Sequence, residues 1–213
     1  MEFLIGPNNS PFHIPKAEVD SRDYFTNPVL GANFLIKRGN SWSFERPCLR
    51  EISPESFKFV AQYLSTGEFG YRIIEDEEQR EKAFSECAEA WEVADVLGMI
   101  DMLDYIMQKM NFTMPWDLGE ALAFGVVVYQ TEGVPSDAHE HMKDTLADFV
   151  AENYRAYLEQ YPLAFGEHMT QAPEFLDDVH KRRVKKLEHH DEQSERIDLA
   201  VRMDEEQGHE LED

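Results

Sequence analysis

Cysteine is scarce in this sequence: there are two among 213 residues, Cys48 and Cys87. They fit no disulfide or metal-ligand spacing pattern, which favours a reducing, intracellular setting. Positive charge is also in short supply, with 20 lysines and arginines against 43 aspartates and glutamates and a formal net charge of -23 at pH 7. The long-range field of such a chain repels phosphate backbones and anionic lipid, so neither nucleic acid nor a membrane is expected as a direct partner. Long apolar runs are missing as well, because the longest, residues 121–129, is too short to span a bilayer. The opening MEFLIGPNNS lacks the basic region and apolar core of a secretory signal. A soluble intracellular protein, cytoplasmic or nuclear, is the expectation. The sequence has no glycine-rich phosphate loop, no nucleophile elbow and no repeat of solenoid period.

What is present suffices for a globular core, with 42% hydrophobic and 12% aromatic residues in a length that suits one large or two small domains. The best-defined stretch is residues 48–69, CLREISPESFKFVAQYLSTGEF. Ser53 can cap a helix, Pro54 suits its first position, and Glu55 lies in its first turn. Phe57, Val60, Ala61 and Leu64 share one face, and Gly67 can take the left-handed conformation that ends a helix near Ser65. A short strand is expected just before, over residues 49–52. None of these residues is a nucleophile or metal ligand, so the stretch is built for packing.

Before it, residues 2–6 and 11–14 read as a hairpin around Pro7 and two asparagines. A helical turn is expected at residues 16–19, and Tyr24 and Phe25 read as core anchors. Residues 34–36 suggest an extended piece, with a loop at 39–41 before Trp42 and Phe44. Beyond it, an acidic loop at residues 75–81 leads to a helix carrying Phe84, Cys87, Ala88, Trp91 and Ala94, which Gly98 ends. Asp101 is a candidate cap for the next helix, which buries Met102 or Leu103, Ile106, Met107 and Met110 and fades at Asn111.

A boundary is expected at residues 113–115. Leu118, Ala121, Leu122, Val126 and Tyr129 then form one apolar stripe, and Met142, Leu146, Phe149 and Val150 form another, an antiparallel helix pair. A helix over residues 154–161 follows, with breaks at Pro162, Gly166 and Pro173 before Phe175, Leu176 and Val179. From residue 188 acids dominate, and a disordered tail is the expectation.

Few side chains suggest chemistry. His139 and His141 lie two apart on an expected helix and cannot converge on one ion there, so a solvated helix start is the better reading. Cys87 lies on an apolar stripe as a buried, inert thiol, and Cys48 has no evident base beside it. Paired carboxylates carry no information about acid–base catalysis in so acidic a chain. No catalytic residue, cofactor or metal ligand is assigned. Lys181, Arg182, Arg183, Lys185 and Lys186 make a basic cluster that reads equally as a nuclear-import signal or as a helix face neutralising the neighbouring acidic tail.

The order of features resembles the BTB/POZ domain, particularly of the many fungal proteins that carry it. The resemblance rests on Phe12, Ile14 and Lys16, then Tyr24 and Phe25, then Pro54, Phe57, Tyr63 and Gly67, then Ala94 and Asp95, and Leu103. It covers about the first half of the chain, and Pro15 stands where the family usually has histidine. It implies an α+β fold, a small sheet flanked by helices over residues 1–112, followed by an all-helical accessory region similar to a BACK domain over 113–187 and the acidic tail over 188–213. The implied function is protein–protein interaction as a scaffold or adaptor, without catalysis, with protein partners that include a second copy of the chain.

The chain begins at the hairpin, without the extra helix and strand of the family's swapped homodimers, which argues against that dimer. Members that recruit cullin-type ubiquitin ligases commonly carry a hydrophobic-x-Glu motif after the Tyr-Phe pair. Here no acid lies between Phe25 and Phe44, and the segment offers Phe34, Leu35, Ile36 and Lys37, which weakens cullin recruitment while leaving the segment a candidate partner contact. An exposed sheet edge is a second route, by strand addition. A hydrolase or metal-dependent enzyme assembled from distant residues is the alternative from another class.

Overall fold

In a computed structural model that describes residues 1–27, 32–71, 73–131 and 136–188, the fold is α+β, a four-stranded sheet followed by a succession of helices. Strand β1 (Glu2–Ile5) pairs antiparallel with β2 (Ser10–His13), with Glu2 opposite His13 and Ile5 opposite Ser10. The turn between them holds Gly6 at φ 75° and Asn9 at φ 52°, in the region that glycine and asparagine enter most readily. Two short helices, α1 (Lys16–Asp20) and α2 (Asp23–Thr26), lead to a second hairpin of β3 (Leu35–Arg38) and β4 (Ser41–Phe44). Strand β4 lies parallel beside β1, which gives the order β2-β1-β4-β3.

The strand expected over residues 49–52 is instead a 3-10 turn, Pro47–Arg50, with Leu49 buried. Proline at its start fixes φ and removes a ladder donor. The strand is earlier, where Ser41, Trp42, Ser43 and Phe44 alternate polar and aromatic with the period of a half-buried strand. The sheet's inner face is aromatic. Phe3 lies 5.6 Å from Phe25, 5.5 Å from Phe44 and 5.6 Å from Phe57, and all four rings are buried. Such ring pairs contribute about 0.5–1.5 kcal/mol each beyond the area they bury.

Helix α3 (Pro54–Thr66) follows the local signals closely. The Ser53 side chain accepts from the Glu55 N–H, and Gly67 ends the helix at φ 78°. Helix α4 (Glu77–Leu97) starts at Asp76, whose side chain accepts from the Gln79 N–H, and ends at Gly98. Helix α5 (Ile100–Asn111) has Met99 at its cap position with no side-chain bond. Asp101 is therefore not the cap; it lies in the first turn, where Arg22 and the Tyr63 hydroxyl both donate to its Oδ2.

Helices α6 (Leu118–Gln130) and α7 (Asp137–Glu152) pack together as expected. Trp116 spans the expected boundary, its ring 5.6 Å from Phe84 and 5.2 Å from Phe149, so one apolar core continues across it. Helix α8 (Tyr154–Gln160) follows, and then Pro162 opens α9 (Pro162–Gln171) rather than breaking it, since a proline at the first position forfeits no helical bond. Gly166 lies inside α9. A further helix, α10, covers residues 173–188. The expected acidic tail lies outside the described residues.

Helix α10 is seated on α6 through Phe175, whose ring lies against Gly125 where any Cβ would collide with it. The Phe175 ring is fully buried and stacked on Tyr129 at 4.7 Å, so it cannot withdraw. Gly166 faces open space. Gly125→Ala should lower the unfolding free energy by about 1–2 kcal/mol, because overpacking outweighs the gain in helix propensity. Gly166→Ala should raise it by about 0.5–1 kcal/mol. Urea unfolding of both variants checks the pair, and a stabilised Gly125→Ala protein would show that the ring yields.

Candidate interaction surface

Phe34, Leu35, Ile36 and Lys37 divide between two elements. Phe34 ends a 3-10 turn, Ala32–Phe34, and is half-buried with its ring 6.2 Å from Phe44, while the other three lie on β3. Ile36 is 38% exposed and Lys37 is exposed. The Glu45 N–H donates to the Phe34 carbonyl at 2.9 Å, which makes Phe34 and Glu45 a hydrogen-bonded pair and sets the alternation along the ladder. Ile36 with Ser43 and Arg38 with Ser41 are then also hydrogen-bonded pairs, whereas Leu35 and Lys37 direct their N–H and C=O groups away from β4. Among the described residues no strand takes up those groups.

The other sheet edge is different. Met1 and Ile14 exchange both bonds, the Met1 amine donating to the Ile14 carbonyl at 2.6 Å and the Ile14 N–H to the Met1 carbonyl at 2.9 Å. The same alternation turns Pro11 and His13 of β2 outward, and proline has no N–H to offer. The β3 edge therefore retains its donors, while the β2 edge lacks one of two. Three basic side chains stand by the β3 edge, and two of them meet acids, Lys16 pairing with Asp20 and Arg38 with Glu45 at 2.7 Å. Lys37 lies 5.8 Å and Lys16 4.9 Å from the Trp42 ring centre.

The basic cluster lies along α10, and its charges meet acids of α7. Arg182 pairs with Asp144 and lies 3.6 Å from Asp148, and Lys186 pairs with Glu152 at 2.7 Å. Lys181 holds Asp178 at 2.8 Å, and Arg183 lies 4.1 Å over the Tyr154 ring. Lys185 is exposed. Burial raises the Asp178 carboxyl, but bonds from Lys181 and Tyr129 and the nearby charges outweigh it and leave it below the usual range. Among the described residues, Lys181, Arg182 and Lys186 thus meet acids of α10 itself and of α7, while the acidic tail expected to meet this face lies outside the described residues.

His139 overturns the expectation of a solvated helix start. Ser136 does cap α7, accepting from the His139 N–H, and His141 is exposed. His139 is only 6% exposed, and its Nδ1 is hydrogen-bonded to Oδ1 of the fully buried Asp95 at 3.2 Å. Sequence gave one signal, an aspartate beside Ala94 within an apolar stripe, but its partner is 44 residues away. Among the described residues no three histidine, cysteine or acidic side chains converge to hold a metal ion, and no helix is long and apolar enough to cross a membrane. Comparison with family models, curated proteins and solved structures returns no match.

Removing one member of a buried hydrogen-bonded pair leaves the polar atoms of the other without a partner. His139→Ala should cost about 3 kcal/mol of stability, and Asp95→Ala combined with it should recover part of that loss. Denaturant melts of the two single variants and the double variant measure the coupling, and purely additive losses would contradict it.

Both cysteines are free thiols, Cys48 half-buried and Cys87 buried. Burial pushes the Cys87 thiol up to about 12, and burial raises Cys48 as well. The fold favours the neutral Cys87 thiol, so this contribution to stability is whole below the ordinary thiol range and fades as pH rises towards about 12. At neutral pH a thiol reagent should modify folded Cys48 slowly and Cys87 only after unfolding, as intact mass will show. Rapid double modification of the folded chain would refute the assignment.

Proposed function

We propose that this chain is a BTB/POZ-like protein–protein interaction module, a scaffold or adaptor without catalysis of its own, that takes an extended segment of a partner as a fifth strand along β3. The carrying observation is the β3 edge itself, where Leu35 and Lys37 direct backbone donors and acceptors outward with no proline to interrupt them. Strand addition draws its affinity from such groups and its specificity from alternate side chains. Ile36 and Arg38 stand on one face of β3 and Lys37 on the other. A segment with an apolar residue opposite Ile36 and acids opposite the two basic residues fits best.

The family reading is supported by the roles its residues take. Ile14, Tyr24, Phe25, Phe57 and Leu103 are core residues, Pro54 opens α3 and Gly67 closes it, in the order the resemblance requires. Free, shielded thiols fit an intracellular setting.

Lys37→Pro should remove one outward donor and leave the β3–β4 ladder intact, whereas Ile36→Pro should break that ladder and destabilise the sheet. Affinity capture from a native extract, with mass by light scattering, compares the wild-type chain with the Lys37→Pro variant. Partners held by the wild type and lost from a folded Lys37→Pro chain are the expected outcome. A cullin among them would make the chain a ligase adaptor. Identical partners for both chains would overturn the β3 assignment, and a monomer that captures nothing would count against the interaction reading as a whole.

A further inference from the structure

A second surface, far from β3 in character, lies between α4 and α6. Buried Phe84 and Phe124 form the floor of a groove of about 280 Å³, and Ala88, Ala123 and Val127 line it. Its rim is acidic, set by Glu89 and Glu92 on one side and Glu120 on the other, and no lysine or arginine lines it. Towards the start of α4 it continues, through the shared Phe84 and Glu120, into a hollow of about 200 Å³. There Glu77, Glu81 and Asp117 add three acids against one base, Arg80, which already pairs with Glu77 at 3.1 Å. From Glu77 to Glu92 the groove follows α4 for roughly 22 Å, about four helical turns.

We propose that this groove receives an amphipathic helix of a partner protein, with its apolar face on Phe84 and Phe124 and lysines or arginines flanking that face against the glutamates. The walls are helices whose backbone groups are satisfied internally, so an added strand has nothing to pair with there, and a helix-in-groove contact remains. Alanine at Ala88 and Ala123 lets a second backbone approach closely. Charge decides the sign of the partner. The rim carboxylates lie close enough to hurt one another, since the Glu120 carboxyl is held above its usual range by partial burial and by the charges of Asp117 and Glu81. A cationic helix relieves that repulsion, whereas an anionic helix or lipid surface worsens it. The same argument disfavours a second copy of this chain, whose net charge is -23.

The probe is a fluorescent synthetic peptide of about 18 residues, with leucines at helical spacing flanked by lysines and arginines, titrated against the full chain by anisotropy. A matched peptide with glutamates in place of the bases is the first control. The basic peptide should bind, more weakly as salt rises, and Glu89→Gln with Glu92→Gln should weaken it about three- to tenfold. Both substitutions lie at exposed positions and spare the fold. Ala123→Phe, also at an exposed position, should weaken binding further by filling the groove. Glu51→Gln with Asp104→Asn removes the same charge from exposed positions outside the groove and should change nothing. If that variant weakens binding as much as the rim variant, only net charge attracts the peptide and the site is refuted. Equal binding of the acidic peptide, or none of the basic one, also refutes it. A concentration-dependent dimer by light scattering that Ala123→Phe abolishes would assign the groove to a second copy and overturn the proposal.

Discussion

Everything in this fold leans on helix α4, which is dry on two sides. Cys87, Ala90, Trp91 and Ala94 are fully buried within it, and α3, α5 and α6 all pack against its length. Toward the sheet half it closes the apolar core that begins with Phe3 and its ring neighbours. Toward the helical half, Phe84 meets Trp116 at 5.6 Å and Trp91 meets Phe124 at 6.0 Å, edge to face. A helix buried on two sides has little room for polar groups, which is why the single aspartate it does bury must find His139 on a neighbouring helix. The sheet and the C-terminal helices thus share a structural spine, and neither half has a core that stops at the chain segment joining them.

Much of this was legible because the signals were local. Ser53, Pro54 and Gly67 delimit α3 through bonds that span four residues or fewer, and Gly98 ends α4 in the same way. What sequence could not reveal depends on partners distant along the chain. Asp101 looks like a cap until Arg22, 79 residues away, claims it. His139 looks solvated until Asp95 is brought beneath it. Strand β4 was a different kind of miss: its alternating serines and aromatics were visible, but a four-residue strand offers only two periods of evidence, and the apolar pair of Leu49 and Ile52 competed for the role. Of the candidate contact segment, the position was legible, while the direction of its backbone groups needed the register with β4.

Charge is distributed less evenly than the composition suggests. Of the basic residues of α10, Arg182 and Lys186 pair with acids of α7, which fastens two helices together but contributes little per exposed pair. Lys37 and Arg38 bring positive charge to the β3 edge, offset in part by Glu45, and the length of α4 toward α6 is left anionic. Under the two proposals, these surfaces take different partner segments, one extended and acidic, the other helical and basic.

The missing donor at Pro11 has a consequence for assembly. Cross-β polymers grow because every chain both accepts a strand at one edge and presents a matching edge at the other. Here the β3 margin keeps both outward donors and the β2 margin keeps one of two, so β2 is the weaker template for a further strand. A copy of this sheet is thus a poorer strand donor through β2 than through β3, which works against head-to-tail stacking of β2 on β3 and leaves the proposed partner strand the better match for the open edge.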